Sequence, residues 1–174
     1  MSSVLSAAPH DTRALRNCLG QMATGVTVIA TRSASGALVG LTANSFSALS
    51  LEPALVLWSL RLASPNLAAF AQHGRFVVNV LSQTQGPVSS HFASGTADKF
   101  DAAHNALNAH TLNDHQLPLL HGACAWFECR TVQQYTEGDH CLFIAQVERF
   151  SQAAAATAPL LYHGGGYHAL GKRL

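Results

Sequence analysis

Val26-Thr27-Val28-Ile29-Ala30-Thr31 runs into Ser33-Ala34-Ser35-Gly36 and emerges as Ala37-Leu38-Val39-Gly40-Leu41-Thr42. β-Branched and apolar residues suit a pleated, half-buried strand, and a serine and glycine cluster between two such runs reverses the chain. The stretch therefore predicts an antiparallel hairpin. The same device recurs where residues 123–132 and 140–150 flank Glu137-Gly138-Asp139. Between the hairpins, Ala54-Leu55-Val56-Leu57-Trp58-Ser59-Leu60 is apolar at almost every position, which predicts a strand covered on both faces, and residues 76–81 predict another. Strands joined mostly by hairpins favour a mainly β fold, a small six-stranded antiparallel barrel with short flanking helices, over a doubly wound parallel sheet.

Three helical patterns surround the strands. Asp11 or Thr12 can cap a helix over 11–22, where Leu15, Cys18, Leu19 and Met22 recur at spacings of three and four, the pattern of an amphipathic helix lying on the body. Ser64 as N-cap and Pro65 at the first helical position open a second, which His73-Gly74 closes with a left-handed turn. Thr84 caps a third that reaches Phe92, with Pro87 in the first turn, where its missing N–H has no intrahelical partner anyway. Residues 94–122 read as irregular, 151–159 as an alanine-rich surface connection, and 1–12 as a flexible tail ahead of one domain over 13–174.

Composition narrows the partners. The 174 residues carry ten Lys and Arg against nine Asp and Glu, a net charge of +1, so no field of one sign gathers phosphate backbone or anionic lipid, and a nucleic-acid partner is not expected. Charged residues are 11% of the chain where about 25% is usual, and 48% are apolar, so part of the surface is expected to meet another subunit. No apolar run approaches the roughly 18 to 20 residues that cross a bilayer, and residues 1–9 lack the basic start of a signal peptide, which together predict a cytoplasmic protein. Cys18, Cys124, Cys129 and Cys141 contain no C-x-x-C pair and read as reduced core thiols.

Several chemistries have no candidate. The sequence holds no G-x-G-x-x-G, no phosphate loop with G-K-[ST], no G-x-S-x-G and no H-E-x-x-H. His110, His115 and His121 lie on an expected loop without carboxylate or thiolate partners at ligand spacing, so no metal is expected. Against that blank, Leu41-Thr42-Ala43-Asn44-Ser45-Phe46-Ser47-Ala48-Leu49-Ser50 interleaves hydroxyls, a carboxamide and one aromatic. Such a segment either presents neutral donors to a polar ligand or satisfies its own backbone as a turn. Asn79, set among apolar neighbours, reads as a structural tie whose amide must find partners.

Taken in order, Leu19-Gly20, Ala23-Thr24-Gly25-Val26-Thr27-Val28, Gly40-Leu41-Thr42-Ala43-Asn44-Ser45-Phe46-Ser47, Leu51-Glu52-Pro53 and Phe76-Val77-Val78-Asn79-Val80-Leu81 form a series. It continues through Asp98-Lys99-Phe100, Glu137-Gly138-Asp139-His140, and Pro159-Leu160-Leu161-Tyr162 with Gly166-Tyr167. Over residues 13–170 the series resembles the flavin reductase family, FMN-binding split barrels that serve as reductase components of two-component monooxygenases. The resemblance implies a homodimer that binds FMN or FAD in a groove between subunits and takes hydride from NADH or NADPH. It sets Thr42, Ala43, Asn44 and Ser45 against the isoalloxazine edge and ribityl chain, and Arg61, Ser64 and Asn66 near the flavin phosphate. Phe92, Lys99 and Phe100 match a stretch bordering the flavin, with Lys99 either meeting phosphate or simply solvated.

The same resemblance puts His140, after Gly138 and Asp139, beside the nicotinamide as the candidate catalytic residue, and leaves Tyr167 either closing over the ring or filling the barrel mouth. Met22, Ala54 and Pro87 depart from the family pattern and leave FMN against FAD undecided. The implied reaction is direct hydride transfer, for which the protein aligns two rings and needs no nucleophile. A partner monooxygenase would consume the product. Two other readings stand beside it: a flavin- or haem-binding module without activity, and an oxidase of the pyridoxamine phosphate type, whose substrate phosphate would call for a basic set that this near-neutral chain lacks.

Overall fold

The computed structural model describes residue 8, residues 10–154 and residues 157–172; the tail expected over 1–12 falls mostly outside them. The chain enters through α1 (Thr12–Leu19) and the two-residue β1 (Thr24–Gly25), then forms the hairpin of β2 (Thr27–Arg32) and β3 (Leu38–Ala43), paired from Thr27↔Ala43 to Arg32↔Leu38. β4 (Ser47–Leu51) and β5 (Ala54–Arg61) follow, then α2 (Leu67–His73), β6 (Arg75–Val80) and α3 (Gly86–Ala93). A 3-10 turn at Ala102–His104, α4 (Asn105–Asn108) and the small hairpin β7 (His110–Leu112) and β8 (Pro118–Leu120) precede the long hairpin of β9 (Ala125–Glu137) and β10 (His140–Gln152). β11 (Leu161–His163) returns to pair with β1 on one side and with β12 (Gly166–His168) on the other.

Seven strands make one antiparallel sheet in the order β3-β2-β6-β9-β10-β5-β4, one strand more than the sequence predicts. Its curvature follows from the connection between its two edges. Laid flat, six inter-strand gaps would separate β3 from β4 by about 29 Å. Residues 44–46 are the whole link between them, and the four Cα steps from Ala43 to Ser47 reach only about 14 Å. The sheet must roll until its edges nearly meet, which leaves a split that residues 44–46 bridge. Ser45 fastens the bridge, its Oγ donating to the Ser59 carbonyl and accepting the Ser59 N–H, both at 3.1 Å.

The rolled interior holds Trp58, which stacks on Phe143 at 4.7 Å and meets Phe70 and Phe76 edge-on at 5.0 and 5.6 Å. Ile29, Leu41, Val56 and Val78 complete that core, while Val26, Val28, Leu81, Phe92, Leu120 and Leu160 form a second cluster beneath α3. β2 is thus buried on both faces. β5 is not: Leu55, Leu57 and Ser59 are only half-buried on its outer face, because α3 covers β2 and β3 instead.

Other expectations also change. Helix α1 stops at Leu19 and buries none of its residues, so Cys18 is an exposed thiol; Cys129 and Cys141 are core thiols and Cys124 is half-buried. Burial, with a smaller push from Glu148 and Glu128, drives the Cys129 thiol up to about 12, far outside the reactive range. Ser64 and Pro65 precede α2 rather than opening it. Asn66 is the N-cap, and Ser64 Oγ instead accepts the Asn66 N–H in a local turn. Gln85, not Thr84, caps α3 by position, its side chain being drawn away to the Ser82 N–H and the His121 carbonyl. Residues 94–122 contain α4 and the β7–β8 hairpin, and β10 runs into the expected 151–159 connection.

Candidate functional site

A cleft of about 920 Å³ opens along the split, at the upper end of the roughly 300–1,000 Å³ usual for ligand sites. The β3 edge and residues 42–45 form one wall. The end of β5 with Arg61, Ser64 and Asn66 forms a second, and residues 92–97 with Lys99 a third, His140 completing the lining. Of the residues expected at a site, the fold brings together Thr42, Ala43, Asn44, Ser45, Arg61, Ser64, Asn66, Phe92, Lys99 and His140. It leaves Phe100, Gly138, Asp139 and Tyr167 off the lining. No carboxylate lines the cleft among the described residues, which suits an anionic or electron-rich guest.

The first wall divides into clasps and free groups. Thr42 Oγ1 donates to the Ser89 carbonyl of α3 at 2.6 Å, and Ser45 is held to β5, so both hydroxyls have spent their proton on the fold. Ala43 is buried, its carbonyl accepting from Thr27 Oγ1 at 2.7 Å. Asn44 is exposed, and among the described residues its amide makes no hydrogen bond. The hydroxyls of the run thus satisfy the backbones of α3 and β5 rather than their own, and the clasped segment leaves the Asn44 carboxamide exposed in the cleft lining.

Across the split, Arg61 ends β5 directly opposite His140, the first residue of β10. The guanidinium is exposed and, among the described residues, forms no ion pair. His140 is placed by a two-residue turn with Gly138 at φ 57 in its first central position, the geometry of a type II′ hairpin. Its Nδ1 lies 2.6 Å from Asp139 Oδ1. The hydrogen bond from His140, then its charge, holds the exposed Asp139 carboxyl below the usual carboxylate range, with Arg61 adding a weaker pull.

Two expected ligand contacts are recast by burial. Phe92 is wholly buried, so its ring shapes the wall from behind, packed on Phe100 at 5.1 Å. Lys99 is 8% exposed, and its Nζ donates to the Phe92 carbonyl at 2.6 Å, so it is not a solvated lysine, and one of its three N–H donors is committed to the fold. Tyr167 donates or accepts a 2.7 Å hydrogen bond with Ser89 Oγ and packs on Tyr162, which ties the tail to α3 at the residue that anchors Thr42. The sequence reading missed the small polar loop 93–97; its signal was a run of Ser, Gly and Thr immediately after a helix end.

Gly40 is a second omission, signalled by a glycine inside a strand pattern. A Cβ there would stand 2.8 Å from Phe92 Cε1 and 3.1 Å from Phe100 Cε2. Gly40→Ala is expected to destabilise the protein by about 1–3 kcal/mol, seen as a lower Tm, because the buried Phe92 ring and the half-buried Phe100 ring must move. An unchanged melting curve would show that the rings give way freely.

The sequence profile of the flavin reductase like domain matches residues 19–171. The chain is 39% identical over 160 residues to the reductase component of a flavin-dependent trigonelline monooxygenase from Acinetobacter baylyi, covering 92% of this chain and 49% of that protein. It is 35% identical over 160 residues to the FMN reductase (NADH) SmoA of Agrobacterium fabrum, covering 91% and 86%. Among solved structures, the NADH:FAD oxidoreductase SgcE6 of Streptomyces globisporus C-1027, in complex with NAD and FAD fragments, superposes with a TM-score of 0.88 at 30% identity, covering 97% of this chain and 98% of that one. The chain spans about half the length of the first curated relatives it matches.

Proposed function

The chain belongs to the flavin reductase like family, and from that premise we propose that it reduces FMN or FAD with NADH or NADPH and supplies the reduced flavin to a partner monooxygenase. The observation that carries this reading is the cleft: an uncharged wall at residues 42–45 with a free Asn44 amide, an exposed Arg61 paired with His140 on the neighbouring strand, and no carboxylate among its described lining. Asn44 and the backbone of residues 42–45 would hold the ring system, and Arg61 with Ser64 and Asn66 the phosphate. When bound, flavin supplies the redox chemistry by accepting hydride from reduced nicotinamide. The protein orients both rings and excludes water, while His140 orients the donor without itself changing protonation. The names of SmoA and SgcE6 favour NADH.

One domain over 13–174 working as a homodimer accords with exposed apolar side chains such as Leu51, 89% exposed on the edge strand β4, and Phe150, 77% exposed. The partner monooxygenase is supported by relatives that are reductase components of flavin-dependent monooxygenases. A cytoplasmic setting is supported by four free cysteines, as reducing compartments leave them; no helix among the described residues is long and apolar enough to cross a membrane.

Purified protein is expected to oxidise NADH or NADPH only when FMN or FAD is added. Tight flavin binding without nucleotide oxidation would instead mark a binding module, and failure with every flavin and nucleotide pair would remove the enzymatic reading. Asn44→Leu should weaken flavin binding about tenfold, the loss of one good polar contact, while the melting temperature stays near that of the wild type. Unaltered flavin affinity in the folded variant would show that residues 42–45 serve the fold alone.

A further inference from the structure

Among the described residues, two cationic side chains, Arg61 and Lys99, line the cleft, and the fold gives them different work. Arg61 is exposed at a strand end. Lys99 is buried, with its ammonium on the carbonyl of Phe92 in the last turn of α3, where helix carbonyls have no intrahelical partner and the helix dipole attracts a cation. The backbone of Lys99 is held as firmly: its carbonyl accepts from the buried Asn108 Nδ2 at 3.0 Å and shares a 2.8 Å hydrogen bond with His91 Nε2. Asn108 Nδ2 donates also to the Asp101 carbonyl at 2.9 Å, so the strap after Lys99 is pinned from the same point.

One residue therefore closes both ends of a short loop. Between them lie residues 93–98, all exposed, of which Ala93, Ser94, Gly95, Thr96 and Ala97 face the cleft as its third wall. The loop has no apolar anchor. Its own bonds are local: Ser94 Oγ donates to the His91 carbonyl at 2.7 Å and shares a 2.9 Å hydrogen bond with Thr96 Oγ1. Swinging the Lys99 ammonium out to a ligand would strand the Phe92 carbonyl and release the loop base. Burial already pushes the Lys99 ammonium below the ordinary lysine range, so a fixed carbonyl partner compensates a charge that has lost part of its hydration.

We propose that Lys99 is a positioning residue that staples Phe92 to the strap and so sets the wall at residues 93–97, while Arg61 is the cation that meets the flavin phosphate. This rests on the reading of the cleft as a flavin site.

Riboflavin shares the ring and ribityl chain of FMN but lacks the phosphate, so dissociation constants for both separate the two roles. Lys99→Met should weaken FMN and riboflavin by the same factor, about tenfold, leaving their ratio unchanged, whereas Arg61→Gln should weaken FMN about tenfold and spare riboflavin. A Lys99→Met protein that loses FMN affinity alone, as Arg61→Gln does, overturns the assignment. The wild type provides a second readout, because Lys99 and Lys172 are its two lysines. Reductive methylation should modify Lys172 at least about tenfold faster than Lys99, with FMN changing neither rate. A Lys99 as reactive as Lys172 and shielded by FMN would also overturn the proposal, even if the methionine variant does not fold. Should wild type bind neither flavin, the flavin reading fails, and the methylation contrast still decides whether Lys99 is committed to the fold.

Discussion

Asn79→Leu should cost about 3 kcal/mol of stability, a fall of roughly 6–12 °C in Tm for a domain of this size. Asn79 is wholly buried on β6, where Val28 of β2 is its pairing partner. Its Nδ2 donates to the Val28 carbonyl at 3.2 Å and to the Pro118 carbonyl at 3.3 Å, and its Oδ1 accepts the Leu120 N–H at 2.8 Å. One amide thus ties the barrel sheet to the β7–β8 hairpin. Leucine branches at Cγ as asparagine does and is somewhat larger, so no cavity forms. The cost comes from leaving the Leu120 N–H without an acceptor and two carbonyls short of a donor, at about 1–3 kcal/mol for a fully orphaned group. Thermal unfolding followed by circular dichroism measures it; a Tm within about 2 °C of wild type would mean that water replaces the amide at no cost.

His140→Ala is expected to lower kcat/KM for the nicotinamide donor by at least about tenfold while changing the flavin dissociation constant little. The reason is placement. With Nδ1 engaged by Asp139, Nε2 is the ring nitrogen left for the cleft, and the Gly138 turn and the pairing with Arg61 fix where the ring starts. A group so placed orients a substrate, and lost orientation appears in kcat/KM for that substrate alone. Steady-state kinetics with flavin and donor varied separately provide the measurement. Equal losses for both substrates would speak for a structural histidine, and no loss would place the donor elsewhere.

Local chemistry made some of this legible in the sequence. The β2–β3 hairpin followed from β-branched runs around a serine and glycine turn, the β9–β10 hairpin from Gly138, and the role of Asn79 from one amide among apolar neighbours. Those readings depend on a residue and its near neighbours. β4 was invisible because Ser47-Ala48-Leu49-Ser50-Leu51 has the composition of a loop and becomes a strand only by pairing with β5. The caps of α2 and α3 were misplaced for a related reason: the side chains of Ser64 and Gln85 were drawn to turn and tertiary partners.

The site divides along the same line. Polar, neutral residues at 42–45 and a histidine after a tight turn were chemical facts of the sequence, as was the family series they belong to. Which of their groups remain free was not, since a hydroxyl has one proton and only the folded neighbours decide who receives it. Ser89 took that of Thr42, Ser59 that of Ser45, and Asn44 was left. Charge obeyed the same rule: Arg61 and Lys99 are equal in the sequence, but burial beneath Phe92 committed one ammonium to a helix carbonyl and left the guanidinium in the open cleft. Local propensity is encoded residue by residue, whereas desolvation and hydrogen-bond commitment exist only once distant segments exclude water from one another.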